Sequence, residues 1–289
     1  MKRFSVICLT FLLSLSLLLS GCIRPDDNGG GTADGLQGPE DLHVYKSTVY
    51  TYSTDVDESL LTTQLSPAYL ILANKTSTLS SSYEPGALVQ IDNRYVASWH
   101  RAEGLFLEAR VVPALTEMLR AMQADGITDL SVTSAYRGYL RQNQLYNTYI
   151  DREMSGFSKD AIDVLGQEYI QNTYINQGKS GLSRADAQTV VLTYSAFPGT
   201  SEHQTGLCVD FITESMGGEL TTAFEGTAAF EWLSQNAYKF GFILRYPKEK
   251  VSVTGYTYEP WHYRFVGREA ATDIYFSGLV LEEYLAALN

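Results

Sequence analysis

Histidine is scarce in this chain, with four in 289 residues, and two of them stand near acids in a suggestive way. The run Ser201-Glu202-His203-Gln204-Thr205-Gly206-Leu207-Cys208-Val209-Asp210 sets a carboxylate seven residues after an imidazole. In a straight strand that odd separation sends the two side chains to opposite faces. Gly206 between them supplies the freedom to turn and bring both to one point. The second cluster is Glu259-Pro260-Trp261-His262, where Pro260 biases Glu259 toward extended backbone and so constrains the segment. Two imidazoles and a carboxylate around an open fourth position form the ligand set of a catalytic zinc. A further carboxylate nearby is the base that zinc hydrolysis requires. Residue types and spacing leave a rival standing, a pair of structural histidines held by acids. His43 and His100 have no ligand spacing around them and belong to neither reading.

These residues need elements to position them. Val112, Leu115, Leu119 and Met122 recur at helical spacing and stop at Asp125-Gly126. Residues 130–133 alternate like a strand, residues 207–212 form a second and residues 242–246 a third. Residues 139–154, 159–176, 227–240 and 267–288 are expected to be helical. Ser183-Arg184-Ala185-Asp186 reads as a capping box. Tyr69 to Ala73 reads as a buried strand opening the ordered domain near Leu65. Residues 41–64 alternate tyrosine and valine with polar residues, and either a short strand or a packed extension fits. Short strands joined by helices and long loops indicate an α+β fold rather than regular βαβ units.

Composition and absent motifs narrow the chemistry. Thirty-three acids against 21 bases give a net charge of −12, and no basic run is present, which argues against nucleic-acid partners. Three cysteines build no disulfide framework. The chain lacks Ser-x-x-Lys, Gly-x-Ser-x-Gly, His-Glu-x-x-His and Cys-x-x-Cys. Gly178-Lys179-Ser180 mimics the end of a P-loop, but Thr173 stands where the first glycine belongs.

The three blocks Ser134-Ala135-Tyr136-Arg137, Ser201-x-His203-x-x-Gly206-x-x-x-Asp210 and Glu259-Pro260-Trp261-His262, in that order, resemble the VanY-type zinc D-alanyl-D-alanine carboxypeptidases. The resemblance runs from about Leu70 to Gly267. It implies a small antiparallel sheet flanked by helices, the zinc-peptidase fold shared by D,D-peptidases and Hedgehog domains. It implies one zinc per chain on His203, Asp210 and His262, with Glu259 as the base that does not ligate. Arg137 would face the substrate as a catalytic or binding group, its fork of donors suited to a terminal carboxylate or a developing oxyanion. Gln142 and Ser201 are further candidates for holding the peptide. Cys208 departs from the family, where a small apolar residue is usual; a thiol there is a compact core filler or an extra zinc donor. The implied activity is removal of the terminal D-alanine from peptidoglycan stem peptides. An L,D-carboxypeptidase acting on tetrapeptides and a wall-binding module without turnover are the alternatives.

The beginning of the chain reads as an address. Lys2 and Arg3 precede an apolar run to Leu19, and Leu19-Ser20-Gly21-Cys22 resembles the bacterial lipobox, in which the cysteine is lipidated. Residues 1–21 are then a signal, residues 22–64 a Gly- and Asp-rich tether with an extension, and residues 65–289 the carboxypeptidase domain. The expectation is an exported lipoprotein held at the membrane through Cys22 and facing the cell wall.

Overall fold

The computed structural model describes residues 42–61 and 64–288. Cys22 and the signal segment lie outside the described residues.

Four strands form the central antiparallel sheet: β3 (Ser131–Ser134), β4 (Cys208–Ile212), β5 (Phe242–Leu244) and β6 (His262–Phe265), in the spatial order β3-β4-β6-β5. A separate two-stranded ribbon pairs β1 (Leu88–Gln90) with β2 (Phe106–Glu108). Strand alternation divides the central pair into two faces. Val209 and Phe211 of β4, with Tyr263 and Phe265 of β6, join the main hydrophobic core. Cys208 and Asp210 alternate with them, and register sets Asp210 opposite His262 and Cys208 opposite Arg264. All nine residues of the two strands are buried, so the polar face is covered as well.

Helix α1 (Val112–Ala124) closes the core side. It buries Ala114, Leu115, Met118, Leu119 and Met122 at the i, i+3/i+4 spacing that the sequence shows. Pro113 sits in its first turn, where no intrahelical donor is lost. On the other side, α2 (Tyr139–Met154), α3 (Lys159–Leu165), α4 (Gln167–Thr173) and α5 (Arg184–Tyr194) share a satellite core of Tyr146, Ile150, Ala161, Ile170 and Val191. Helices α6 (Ala228–Asn236) and α7 (Val251–Thr254) flank β5, and α8 (Arg268–Ser277) and α9 (Leu281–Ala287) end the described chain. The architecture is the α+β one expected.

Several boundaries differ from the sequence reading. Residues 159–176 are not one helix, because Gly166 adopts φ 86° and separates α3 from α4. The closing segment likewise breaks at Gly278, φ 67°, into α8 and α9. Residues 237–240 tighten to a 3₁₀ turn after α6. Tyr69 to Ala73 is no strand: the carbonyls of Tyr69 and Ile71 are taken by the Arg264 guanidinium rather than by a neighbouring chain. Ser183 caps α5, accepting from the Asp186 amide, but the expected capping box is not completed, because the Ser183 amide donates to the Tyr174 hydroxyl. The stretch 42–61 contains no strand and packs on the domain, with Leu61 in the main core and Leu42 against α8 and α9.

Candidate active site

The turn before β4 is where the sequence motif becomes geometry. Residues 202–205 form one 3₁₀ turn, ended by Gly206 at φ 68°. A Cβ at Gly206 would also press on the Glu108 amide, 3.2 Å away, which donates to the Gly206 carbonyl. This turn places His203 over the Asp210 face of the strand. Nε2 of His203 lies 3.1 Å from Asp210 Oδ2, and Nδ1 of His262 lies 2.9 Å from Asp210 Oδ1. The two imidazoles meet edge to face with centroids 5.1 Å apart. His203 Nδ1 is 2.6 Å from the Ala135 carbonyl, an acceptor that holds a proton on Nδ1, so that in the neutral ring Nε2 carries the lone pair.

Glu259 closes the group from the loop before β6. Its Oε2 is 3.8 Å from His262 Nδ1, and the Glu259 amide is tied to the Tyr246 carbonyl. Burial, reinforced by the Asp210 charge, pushes the Glu259 carboxyl up to about 7, against the opposing pull of the imidazoles and Arg137. Burial opposes charge on His203, yet Cys208 and Asp210 beside it raise the imidazole to about 9. Asp210 moves the other way: its burial penalty is outweighed by the two histidines, which hold it far below the usual carboxylate range.

Arg137 enters the same cleft from the loop after β3. Its amide donates to the His203 carbonyl, so its position is locked to the motif turn. Nη1 reaches Ser134 Oγ at 3.4 Å, while Nε is buried without a partner. No carboxylate among the described residues forms an ion pair with it. The cleft measures about 290 Å³, and Ser201, Tyr246, Tyr256 and Trp261 also line it.

Gln142 does not join them. It lies on the buried face of α2 outside the cleft lining, and its Nε2 donates to the Ala196 carbonyl at 2.6 Å, which ties it to the cleft wall. Cys208, by contrast, lies closer to the chemistry than its neighbours in sequence suggest. Donor atoms of His203, Cys208 and His262 all fall within 4.8 Å of one another, because Cys208 shares the Asp210 face of β4. Burial pushes its thiol up, and the two imidazoles more than offset that, bringing it to about 7.

Sequence reasoning missed Glu202. Its carboxylate is wholly buried and accepts from Arg245 Nε and Arg264 Nη1, both at 2.8 Å. Burial would raise this acid, but the two guanidinium groups hold it far below its ordinary range. An acid wedged between Ser201 and His203 was visible in the sequence. Its partners, 43 and 62 residues downstream, were not.

Comparison with known proteins agrees with this geometry. Residues 104–268 match the family model VanY, D-alanyl-D-alanine carboxypeptidase. The chain is 34% identical over 227 residues to YodJ of Bacillus subtilis, covering 78% of this chain and 70% of that one. Two solved VanY structures, one of a mutant with Zn(II) and one with D-alanine-D-alanine, are each 35% identical with TM-score 0.55. They cover 75% of this chain and 99% and 97% of theirs. The LD-carboxypeptidase LdcB is 32% identical with TM-score 0.57, covering 82% and 97%. With the matched segment spanning all three sequence blocks and more than half of the chain, this protein belongs to the VanY D-alanyl-D-alanine carboxypeptidase family.

Proposed function

We propose that the chain is a zinc-dependent D-alanyl-D-alanine carboxypeptidase that removes the terminal D-alanine from peptidoglycan stem peptides. The observation that carries this is the convergence of His203 Nε2, Asp210 and His262 Nδ1, with Glu259 and an unpaired Arg137 in the same cleft. The donor set fits the metal: two imidazole nitrogens and one carboxylate are the harder end of zinc's ligand range, and a nearby acid remains free of them. His203, Asp210 and His262 would hold it. Zinc at such a set supplies Lewis acidity and brings the pKa of water down to about 7.

The chain's own groups do the rest. Glu259, raised toward neutrality by burial, accepts a proton from the attacking water and returns it to the departing D-alanine amine. Arg137 holds the substrate's terminal carboxylate or the developing oxyanion through its free donors. Ser201 lines the cleft where the peptide end would lie. An intact base speaks against a binding module without turnover. The likeness to LdcB supports L,D-cleavage of tetrapeptides as the second reading. Incubating the protein with tri-, tetra- and pentapeptide stems and weighing the products separates them. D-alanine released from pentapeptide supports the main reading, release from tetrapeptide alone supports the second, and peptide binding without release supports the module.

The lipobox-like run ending at Cys22 supports export and lipid anchoring, with the domain facing the wall. Cys22→Ser should leave the mature protein unlipidated and out of the membrane fraction. Equal mass and equal membrane association of both forms would contradict the anchor.

A further inference from the structure

The metal reading leaves a buried acid beside the ligands without a role. Glu202 Oε1 is saturated by Arg245 and Arg264, but Oε2 has no hydrogen-bond partner, and neither has Nε2 of His262. These two buried atoms face each other at 3.6 Å. A buried donor or acceptor left unpaired is costly, so their juxtaposition is informative. The carboxylate is also held in place from behind. Arg245 is clamped by both oxygens of Glu282 at 2.8 and 2.7 Å, and Arg264 Nη2 by the Tyr69 and Ile71 carbonyls. Its free oxygen is therefore aimed at the imidazole.

A histidine that ligates through Nδ1 carries its proton on Nε2, and that proton needs an acceptor. Glu202 Oε2 is the carboxylate oxygen in reach of His262 Nε2 among the described residues. We infer that Glu202 is a positioning residue of the metal centre: its Oε2 accepts the Nε2 proton of His262 and so fixes the tautomer and ring orientation that present Nδ1 to the metal. This rests on the zinc reading above, with His262 as a ligand. Glu202 acts through His262 and touches no substrate.

The test uses the full chain with ¹⁵N-labelled histidine, loaded with zinc. Wild type should show a His262 Nε2–H signal shifted downfield and protected from solvent exchange. In Glu202→Gln that signal should lose its shift, and chelator competition should find zinc bound about 10–100-fold more weakly, the usual cost of losing such a partner. Glu282→Gln loosens the clamp on the same Arg245 but leaves the Glu202 carboxylate in place, so it should keep the downfield Nε2–H signal and weaken zinc far less than Glu202→Gln. A zinc-loaded wild type with the proton on Nδ1, or with a freely exchanging Nε2 proton, overturns the assignment even if Glu202→Gln does not fold. Wild-type zinc affinity in a folded Glu202→Gln overturns it too. A wild type that takes up no zinc overturns the metal reading itself, which distinguishes the two failures.

Discussion

Two clusters of buried charge adjoin in this molecule, touching through Glu202 and His262, and they are built on opposite plans. In the first, Glu202 and Glu282 face Arg245 and Arg264, with every ion pair at 2.7 to 2.8 Å. Two acids meet two bases, and the guanidinium groups keep Glu202 ionised in spite of its burial. In the second, Asp210 and Glu259 share two histidines and a half-buried arginine, and the contacts do not balance. Glu259 stands 3.8 Å from its nearest imidazole and is pushed up to about 7, and Arg137 keeps a buried donor unused. The balanced cluster is scaffold on its arginine side: each charge it removes from water meets an opposite charge inside it, and only Glu202 Oε2 is left over, toward His262. The unbalanced cluster keeps donors, acceptors and proton affinity in reserve for something that binds, the usual mark of a functional site.

The sharpest way to break this comparison is to remove a ligand from the second cluster. Alanine at His203, Asp210 or His262 should abolish zinc binding and D-alanine release together, measured by metal analysis and product mass on the same preparation. Retention of a full zinc by any one of these variants would mean the ligand set is assigned wrongly.

Glu259→Gln should separate chemistry from metal. General-base catalysis is worth roughly 10²–10⁴-fold, or about 3–5 kcal/mol of barrier, so turnover should fall by at least about a hundredfold on that scale with zinc retained. The pH profile carries the sign. Protonated Glu259 cannot accept a proton, so wild-type kcat/KM should fall as pH drops through its pKa. Burial sets that pKa near 7, and the charge of zinc pulls it lower. The stability sign is the reverse of the usual acid: the folded pKa lies above the ordinary 4.5, so ionised Glu259 costs stability above that pH. Glu259→Gln should therefore leave the zinc-free protein at least as stable as wild type at pH 8 in a urea titration.

In the balanced cluster the same kind of change should do the opposite. Arg264→Met strips Glu202 of one of its two compensating charges, and breaking a buried pair from one side typically costs about 3–5 kcal/mol. A lowered urea midpoint in the zinc-free protein checks this. An unchanged midpoint would show that the cluster is not the scaffold described. The smallest effect is expected at Cys208→Ala, which should keep zinc bound, because His203, Asp210 and His262 suffice as ligands. Zinc lost in that variant while His203→Ala stays loaded would make the thiol a ligand and overturn the assignment.

How much of this was legible beforehand differs by residue. His203, Asp210, Glu259 and His262 were marked by local sequence, because their spacing is written into one turn, one strand and one proline-constrained loop, whereas Arg137 was marked only by the family resemblance of its block. Helix α1 was legible for the same reason, since its apolar spacing repeats over the whole element. The long helical stretches were read without their breaks, because Gly166 and Gly278 interrupt patterns that remain apolar on both sides. The place of Gln142 outside the cleft lining was not legible, because its offset from Arg137 carries no information about which face of α2 it occupies.

The sequence by itself determined the residue types, their order and the turn at Gly206, because each depends on neighbours a few positions away. Only the tertiary structure decided which of those groups meet. The register of β4 against β6 puts Asp210 opposite His262 across 52 residues of chain, and packing brings Arg245, just after β5, and Arg264, on β6, onto Glu202 across 43 and 62 residues. Burial then acts on what has been assembled: the same loss of water leaves Glu202 fully ionised beside two arginines and pushes Glu259 toward neutrality beside one half-buried one. Two carboxylates of identical chemistry acquire different properties because desolvation and charge pairing depend on three-dimensional neighbours, which no local stretch of sequence contains.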